Sequence, residues 1–388
     1  MAAPDESRVS IYVRCSDYKH LIGVPAGSSG QEQLQLLSCL RKALPTDTEI
    51  FMLHGNNNGD DDTDEEEEDR KYFDRVEAFA VEPPAHAPGT ASEIESSRAG
   101  AGGGVRGVGK HIHTFEQGND VFEIYIASAK DSGAQELLQR AEHVAMWYIE
   151  TADAVDFQDE RWQVLFLYRR CRNRRDVAGR KVKGEVLSLA GYFTLFTFHN
   201  PFAGSKIRVC QALVLPHLQG RGLGRELLLC TYRLAHEQPN VTEITVEDPA
   251  PGFQSLRDAV DLEWLRGHWS WPLAAATPAL KPEEITLVAG KLKLTPAQIE
   301  YLSEAEQYAC LQLQAVALGG AESGAGKAFL DTNLKPLRLQ VKRRLLRQQP
   351  DIKALPKPQM QKELDTLYAE QQQRFERSCK ARARLLKE

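Results

Sequence analysis

Residues 207–226 read IRVCQALVLPHLQGRGLGRE, an apolar segment that runs into a glycine-rich loop and then into an amphipathic stretch. The apolar segment predicts a strand from Ile207 to Leu215, and helical spacing of apolar residues predicts a helix from Leu223 to His236. The glycines permit close backbone approach to an oxyanion, and positive φ where it is needed. The helix aims its free N–H groups and positive dipole end at the same point, so the pattern predicts a pyrophosphate-binding loop.

The spacing of the glycines distinguishes between kinds of phosphate loop. A Walker loop needs Gly-Lys-Ser/Thr, which is absent here. A dinucleotide fingerprint needs G-x-G-x-x-G and an acidic residue about 20 positions further on. Glu247 lies at about that distance, but Gly220, Gly222 and Gly224 form G-x-G-x-G. The loop instead matches the Q-x-x-G-x-G pattern of the Gcn5-related N-acetyltransferase superfamily, whose members bind acetyl-coenzyme A at this loop.

The composition is that of a chain able to bury a substantial core. Its 388 residues are 42% apolar and 26% charged, with a net charge of −6. We expect an intracellular soluble protein, because no run approaches the roughly 18 apolar residues of a membrane helix and the N-terminus lacks the pattern of a secretory signal. The scattered cysteines and the single H-x-H at His111 and His113 favour reduced thiols and no metal site.

Three loop-like segments divide the chain: the acidic run at residues 55–69, the Pro/Gly/Ala/Ser-rich stretch at 83–109, and LGGAESGAG at 318–326. They predict an N-terminal module with acidic and Gly/Pro-rich disordered insertions at 1–110, a central domain at 111–270, and a helical, basic region at 271–388. The resemblance of the glycine-rich loop implies that the central domain is the acetyl-CoA-binding catalytic domain. Residues 335–388 hold 15 Lys or Arg against 6 Asp or Glu. A basic tail on an acidic body indicates two electrostatic partners, or a tail that docks on its own body.

Several stretches outside the loop share their order and spacing with one family. They are Met146–Ala152, Asp159–Trp162, Gly191–Thr194, Ile244–Pro249 and Leu256–Asp258. Together with the loop they resemble the type B histone acetyltransferase catalytic subunit, from about Val121 to Leu265. The resemblance implies an α+β fold with a mixed, largely antiparallel sheet flanked by helices, in which two adjacent strands splay apart beside the loop.

The resemblance also implies how acetyl-CoA is bound. One group of residues would hydrogen-bond the pantetheine arm through the backbone of a free strand edge: Ala212, Leu213 and Val214. A second group would hold the pyrophosphate: Gln219, Gly220, Arg221, Gly222, Leu223, Gly224 and Arg225. The side chains of Arg221 and Arg225 are suited to charge-assisted bonds with phosphate oxygens.

Acetylation of an amine requires a group that accepts its proton. Residues 208–215 contain no Asp or Glu, although many histone acetyltransferases of the superfamily place a carboxylate there. In the type B enzymes the glutamate that matches Glu247 is the general base, so Glu247 is the first choice here, with Asp248 and Glu160 as secondary candidates. A turn before Pro249 is the alternative for Asp248, and a surface ion pair is the alternative for Glu160. Cys210 is disfavoured as a nucleophile because it lies in an apolar strand without an adjacent base.

Four residues match positions where the family contacts the histone tail: Trp162, Phe196, Thr197 and Phe198. Aromatic walls suit the methylene stem of a lysine and its cation. Phe196 and Phe198 fall on one strand face, where the family has tyrosines, and a sheet core is the alternative interpretation of either. Asp60–Asp62 loosely match an acidic tail-contacting motif.

The leading hypothesis is therefore ε-amino acetylation of free, newly made core histones, chiefly the tail of histone four. One alternative is a polyamine or small-amine N-acetyltransferase, and another is a histone-binding scaffold without catalysis. The resemblance further implies a WD-repeat histone chaperone as partner and residence in nucleus and cytoplasm. We expect no membrane association and no stable nucleic-acid binding.

Overall fold

The computed structural model describes residues 106–146, 148–149, 153–171, 186–269, 280–320 and 322–385, and the backbone of three short strands before them. The acidic run at 55–69 and Asp60–Asp62 within it lie outside the described residues, as does most of the stretch at 83–109. The chain divides into two compact units. The first comprises residues 1–195 and 211–218, and the second comprises residues 196–210 and 219–388.

A small sheet of three strands is formed by Ser10–Val13 (β1), His20–Pro25 (β2) and Glu49–Leu53 (β3). Strand β2 lies between the other two, antiparallel to β1 and parallel to β3.

The larger sheet has six strands that are neighbours in the same order as in the sequence. The first five are Lys110–Gln117 (β4), Asp120–Ala127 (β5), Trp162–Cys171 (β6), Val186–Phe198 (β7) and Ser205–Val214 (β8), with a helix between β5 and β6. Strand β5 runs antiparallel to both β4 and β6. Val241–Val246 (β9) is parallel to β8. A helix connects the two strands and returns the chain to the end of the sheet at which β8 begins. The predicted mixed, largely antiparallel sheet is thus confirmed.

The helices in the described part of the chain are Ala134–Ala145 (α1), Leu223–Glu237 (α2), Pro251–His268 (α3), Pro282–Leu292 (α4), Pro296–Ala317 (α5), Gly324–Gln348 (α6) and Lys357–Leu385 (α7). Proline begins three of them, at the position where a missing N–H costs nothing. None of the helices among these residues is long and apolar enough to cross a membrane.

Two helix starts differ from the sequence pattern. Ser132 and Gln135 have the sequence spacing of a capping box for α1, but the cap is Gly133 in the left-handed conformation, without a side-chain hydrogen bond. The Asp131 carboxylate closes the preceding turn instead, accepting from the Ser128 N–H at 2.8 Å. Helix α6 begins inside the predicted break at 318–326, because the Ser323 hydroxyl caps it by accepting from the Gly326 N–H at 3.0 Å.

Strand β8 has two different faces along its first half. Ile207 and Val209 are each 1% exposed and belong to the core. Lys206, Arg208 and Cys210 alternate with them and are exposed or half-buried. The alternation places these three side chains on the solvent-accessible face of the strand, beside the end of β9.

Candidate active site

The glycine-rich loop has the backbone conformation that its sequence predicts. Gly220 and Gly222 have φ of 73° and 74°, in the left-handed region that glycine adopts without strain. Gly222 is the N-cap of α2, and no side-chain oxygen at this position caps the helix by a hydrogen bond. The first N–H groups of α2 therefore receive no capping oxygen from that residue, and the N-terminus of a helix is the end that favours anions.

Gly224 has a different role from the other two glycines. It lies within α2, and a Cβ added there would be 2.8 Å from Leu256 Cδ2 on α3. The third glycine thus allows close packing of α2 on α3, whereas Gly220 and Gly222 shape the loop.

The side chain of Arg225 is already paired within the second unit. Its guanidinium donates to Glu263 on α3, with Nε 2.9 Å from Oε2, and to Glu226. The side chain is predicted to bind phosphate, for which it would have to leave these two carboxylates. The Arg225 backbone N–H remains in the first turn of α2.

In the first unit, the predicted pantetheine segment is held by contacts with β7. Leu213 is 3% exposed, and a Cβ added to Gly191 would lie 2.4 Å from the Leu213 carbonyl oxygen. Ala212 and Val214 are half-buried. The last β8–β9 pair is Val209 with Val246, so residues 210–214 continue beyond the end of β9.

Gln211, next to this segment, is the centre of a buried hydrogen-bond network in the first unit. Its backbone N–H donates to Thr194 Oγ1 at 2.9 Å, and its side-chain oxygen accepts from the Tyr192 hydroxyl at 2.8 Å. Its Nε2 donates to the Asp153 carbonyl oxygen at 2.6 Å and to Glu142 Oε1 at 3.4 Å. The side chain therefore fixes β8 at the point where the pantetheine segment begins.

Glu142 is a buried carboxyl group in the same network. It is 4% exposed and accepts from the Val155 N–H at 2.9 Å. Burial raises the pKa of Glu142 to about 7, and the hydrogen bonds from Val155 and Gln211 oppose the rise only in part.

In the second unit, Glu247 lies directly after β9 and is tied to β8. Its N–H donates to the Val209 carbonyl oxygen at 2.9 Å, and its Oε1 lies 3.4 Å from Arg208 Nη1. The Glu247 side chain is 52% exposed. A carboxylate with a fixed backbone and an open side chain is suited to proton transfer with an incoming group.

Cys210 does have a neighbouring carboxylate, contrary to the sequence-based expectation that no base is adjacent. Burial, and then interaction with Glu247, raise the pKa of the Cys210 thiol to about 12. The neighbour is negative, so it favours the thiol over the thiolate. The expectation that Cys210 is not a nucleophile thus gains a physical reason that the sequence did not show.

The secondary carboxylates occupy different surroundings. Asp248 has φ of 30°, so it takes the turn before Pro249 in a conformation that few residues other than glycine adopt. Glu160 belongs to the first unit and pairs with Lys130 at 3.0 Å, with both side chains 76% exposed. These are the two alternatives that the sequence left open, a turn former and a surface ion pair.

The predicted aromatic pair is formed in the second unit. The rings of Phe196 and Phe198 contact each other edge to face, with centroids 4.6 Å apart, and Phe198 is 39% exposed. Thr197 between them is half-buried. Trp162 begins β6 in the first unit and is half-buried there.

The H-x-H pair shows ordinary strand contacts. His111 Nε2 is 2.8 Å from Thr114 Oγ1, and the His113 ring stacks on Phe115. Within the described ranges, no three His, Cys, Asp or Glu side chains come together as a metal site would require.

Comparisons with known proteins agree with the family suggested by the motifs. Residues 90–150 match the family model described as Histone acetyl transferase HAT1 N-terminus. The chain is 33% identical over 142 residues to the histone acetyltransferase type B catalytic subunit of Homo sapiens, covering 37% of this chain and 32% of that protein. It is 26% identical over 220 residues to the protein of the same name from Candida albicans, covering 54% of this chain and 52% of that protein. These matches confirm the resemblance to type B histone acetyltransferase catalytic subunits.

The chain spans about a third to a half of the length of these two relatives. A solved aminoglycoside acetyltransferase from an uncultured soil metagenomic sample matches 41% of this chain and 97% of its own, at 11% identity. The TM-score of this match is 0.25.

Proposed function

We propose that this protein is an N-acetyltransferase that transfers acetyl from acetyl-CoA to lysine ε-amino groups of free, newly made histones, chiefly the tail of histone four. The observation that carries the proposal is the strand–loop–helix unit at residues 205–237, with left-handed Gly220 and Gly222 before the N-terminus of α2. The similarity to proteins named histone acetyltransferase type B catalytic subunit supports the acceptor class.

The residues present fit acetyl-CoA. The N–H groups at the start of α2 suit the pyrophosphate, and residues 212–214 extend past β9 with a backbone able to pair with the amides of pantetheine. Bound acetyl-CoA would supply the acetyl thioester that a neutral amine attacks. No metal is required for that step.

Glu247 is proposed as the general base. A lysine ammonium has a pKa near 10.4, so forming the neutral amine at pH 7 costs about 4.6 kcal/mol. Glu247 would accept this proton directly or through one water, and its exposed side chain at the end of β9 is accessible for that role. Phe196 and Phe198 would lie along the methylene stem of the lysine, with Thr197. Trp162, in the first unit, is proposed separately as a substrate-contacting aromatic residue.

Asp248 and Glu160 remain secondary proposals for acceptance of the proton or attraction of the amine. Asp248 follows Glu247 directly, and the strained turn fixes its backbone. Asp248→Asn keeps a residue that tolerates this conformation and removes only the charge, so it separates the turn from a catalytic role. Glu160→Gln does the same for the exposed ion pair.

The acceptor class is tested by incubating the full chain with labelled acetyl-CoA and three acceptors: a histone-four tail peptide, spermidine and intact nucleosomes. We expect strong labelling of the peptide. Labelling of spermidine without the peptide would support the small-amine alternative, and histone binding without any labelling would support the scaffold. A WD-repeat histone chaperone is the proposed partner, and nucleus and cytoplasm are the proposed locations; co-purification and imaging of the tagged protein test both.

A further inference from the structure

Arg208 makes two contacts on the accessible face of β8. Its Nη1 lies 3.4 Å from Glu247 Oε1, and its Cζ lies 4.5 Å from the centroid of the Phe198 ring. Phe198 in turn contacts Phe196 edge to face. All four residues belong to the second unit, so one guanidinium joins the aromatic pair to the carboxylate.

These two contacts are the ones that a lysine ammonium would seek. A cation is attracted to the face of an aromatic ring and to a carboxylate, and both groups here are already occupied by a cation of the protein. The arrangement is open to exchange, since the Arg208 side chain is 38% exposed and that of Glu247 is 52% exposed. The Glu247–Arg208 contact is a single one at 3.4 Å rather than a bidentate pair, which makes it easier to break.

We propose that Arg208 acts as an internal competitor of the substrate cation and so sets the affinity for cationic acceptors. The incoming ammonium must displace the guanidinium from Phe198 and Glu247 before its own proton can be transferred. This inference rests on the proposed function, because it takes Glu247 and Phe198 as the groups that meet the substrate lysine.

The competition reduces the affinity of every cationic acceptor by the same factor. A tail peptide compensates through contacts along the rest of its length, whereas a small amine has only its cation to offer. Exposed cation–π contacts and surface ion pairs are individually weak, so the factor is about 3- to 10-fold in dissociation constant. The same factor applies to peptides and to small amines, so Arg208 leaves the ratio of their affinities unchanged and disfavours a cationic acceptor relative to a neutral one.

The test compares binding of two otherwise identical histone-tail peptides, one with lysine and one with norleucine at the acceptor position. Dissociation constants are measured by titration calorimetry on the full chain, wild type and Arg208→Gln, without acetyl-CoA. We expect the substitution to tighten binding of the lysine peptide by about 3- to 10-fold and to leave that of the norleucine peptide within about 2-fold. Arg208→Lys, which keeps a cation there but loses the planar guanidinium over Phe198, should give a lysine-peptide affinity between those of wild type and Arg208→Gln.

Lys206 provides the matched control. It lies two residues earlier on the same face of β8 and pairs across the strands with Glu243, so Lys206→Gln removes a similar ion pair away from the aromatic rings. It should leave both affinities unchanged. Weaker binding of both peptides to Arg208→Gln than to wild type would indicate a structural role for Arg208. Equal affinities of wild type and Arg208→Gln for the lysine peptide would indicate that Arg208 does not compete with it. Either result, or the absence of lysine-peptide binding to both proteins, overturns the proposal. Because binding is read without transfer, failure of the wild type to acetylate any acceptor would refute the proposed function separately.

Discussion

Arg374 on α7 forms a buried ion pair whose removal has a predictable cost. Its Nε and Nη2 donate to Asp258 on α3 at 2.7 and 2.8 Å, and the Asp258 side chain is fully buried. The guanidinium also lies 3.8 Å above the ring of Tyr301. Substituting Arg374 by Gln leaves the Asp258 carboxylate buried without a compensating cation.

The expected loss follows from the groups that remain. Breaking a buried pair from one side costs about 3–5 kcal/mol. Asp258 keeps donors from Gln254 Nε2 at 2.6 Å and Gln298 Nε2 at 3.1 Å, so we expect the lower end, about 3 kcal/mol. The assay is urea denaturation followed by circular dichroism, with the free energy of unfolding compared between variants.

Two further variants decide whether the unpaired charge causes the loss. Arg377→Gln removes an exposed arginine of the same helix and should change the free energy of unfolding by no more than about 0.5 kcal/mol. Adding Asp258→Asn to Arg374→Gln removes the stranded charge and should restore much of the stability. The reasoning is refuted if Arg374→Gln lowers the free energy of unfolding no more than Arg377→Gln does. It is also refuted if the loss in the double variant equals the sum of the losses in Arg374→Gln and Asp258→Asn.

Three other predictions concern residues around the candidate site. Because the pKa of Glu142 is raised from 4.5 to about 7 in the folded protein, the folded state holds this proton more tightly and stability falls as pH rises through that range. At about 1.36 kcal/mol per pKa unit, wild type should lose about 3 kcal/mol relative to Glu142→Gln between pH 4 and pH 8 in denaturant titrations; parallel curves would contradict this. Gly191→Ala, which brings a Cβ within 2.4 Å of the Leu213 oxygen, should weaken coenzyme A binding in calorimetry, whereas Gly252→Ala, with open space around it, should not; equal affinities would refute the assignment of the pantetheine segment. Cys210→Ala should keep the rate of acetyl transfer within about 3-fold of wild type. If wild type forms a trapped acetyl-enzyme and Cys210→Ala loses both that species and the activity, the thiol reacts and the prediction is wrong.

Local pattern predicts much of the fold. The strand and helix on either side of the loop begin and end within two residues of their predicted positions, since apolar alternation and helical spacing are properties of the segment itself. The left-handed glycines at 220 and 222 follow from the same local chemistry. The helix start at Gly133 does not, because Asp131 closes a turn that the capping pattern did not consider.

Contacts between distant residues could not be predicted from these patterns. Arg208 meets Glu247 across 39 residues, and Gln211 meets Glu142 across 69. The pairing of Arg225 with Glu263 likewise required the packing of α2 on α3. Each of these contacts depends on strand register or helix packing, which a single sequence does not fix.

Several arginines of the basic C-terminal region form ion pairs within the protein. Arg344 pairs with buried Glu304 at 2.8 Å, and Arg374 pairs with Asp258. Arg347 pairs with Glu300 at 2.6 Å. These arginines hold α6 and α7 against neighbouring helices of the second unit, in keeping with a tail that docks on its own body.

The central claim, acetyl transfer to a histone lysine with Glu247 as base, is tested most directly by one rate measurement. The rate of transfer to a histone-four tail peptide is measured at saturating acetyl-CoA for wild type, Glu247→Gln and the control Glu243→Gln, which alters the neighbouring carboxylate of β9. We predict that Glu247→Gln lowers the rate by about 100-fold or more while coenzyme A affinity is unchanged, and that Glu243→Gln is close to wild type. Absence of transfer by the wild type, or equal rates for wild type and Glu247→Gln from pH 6 to 9, would contradict the claim.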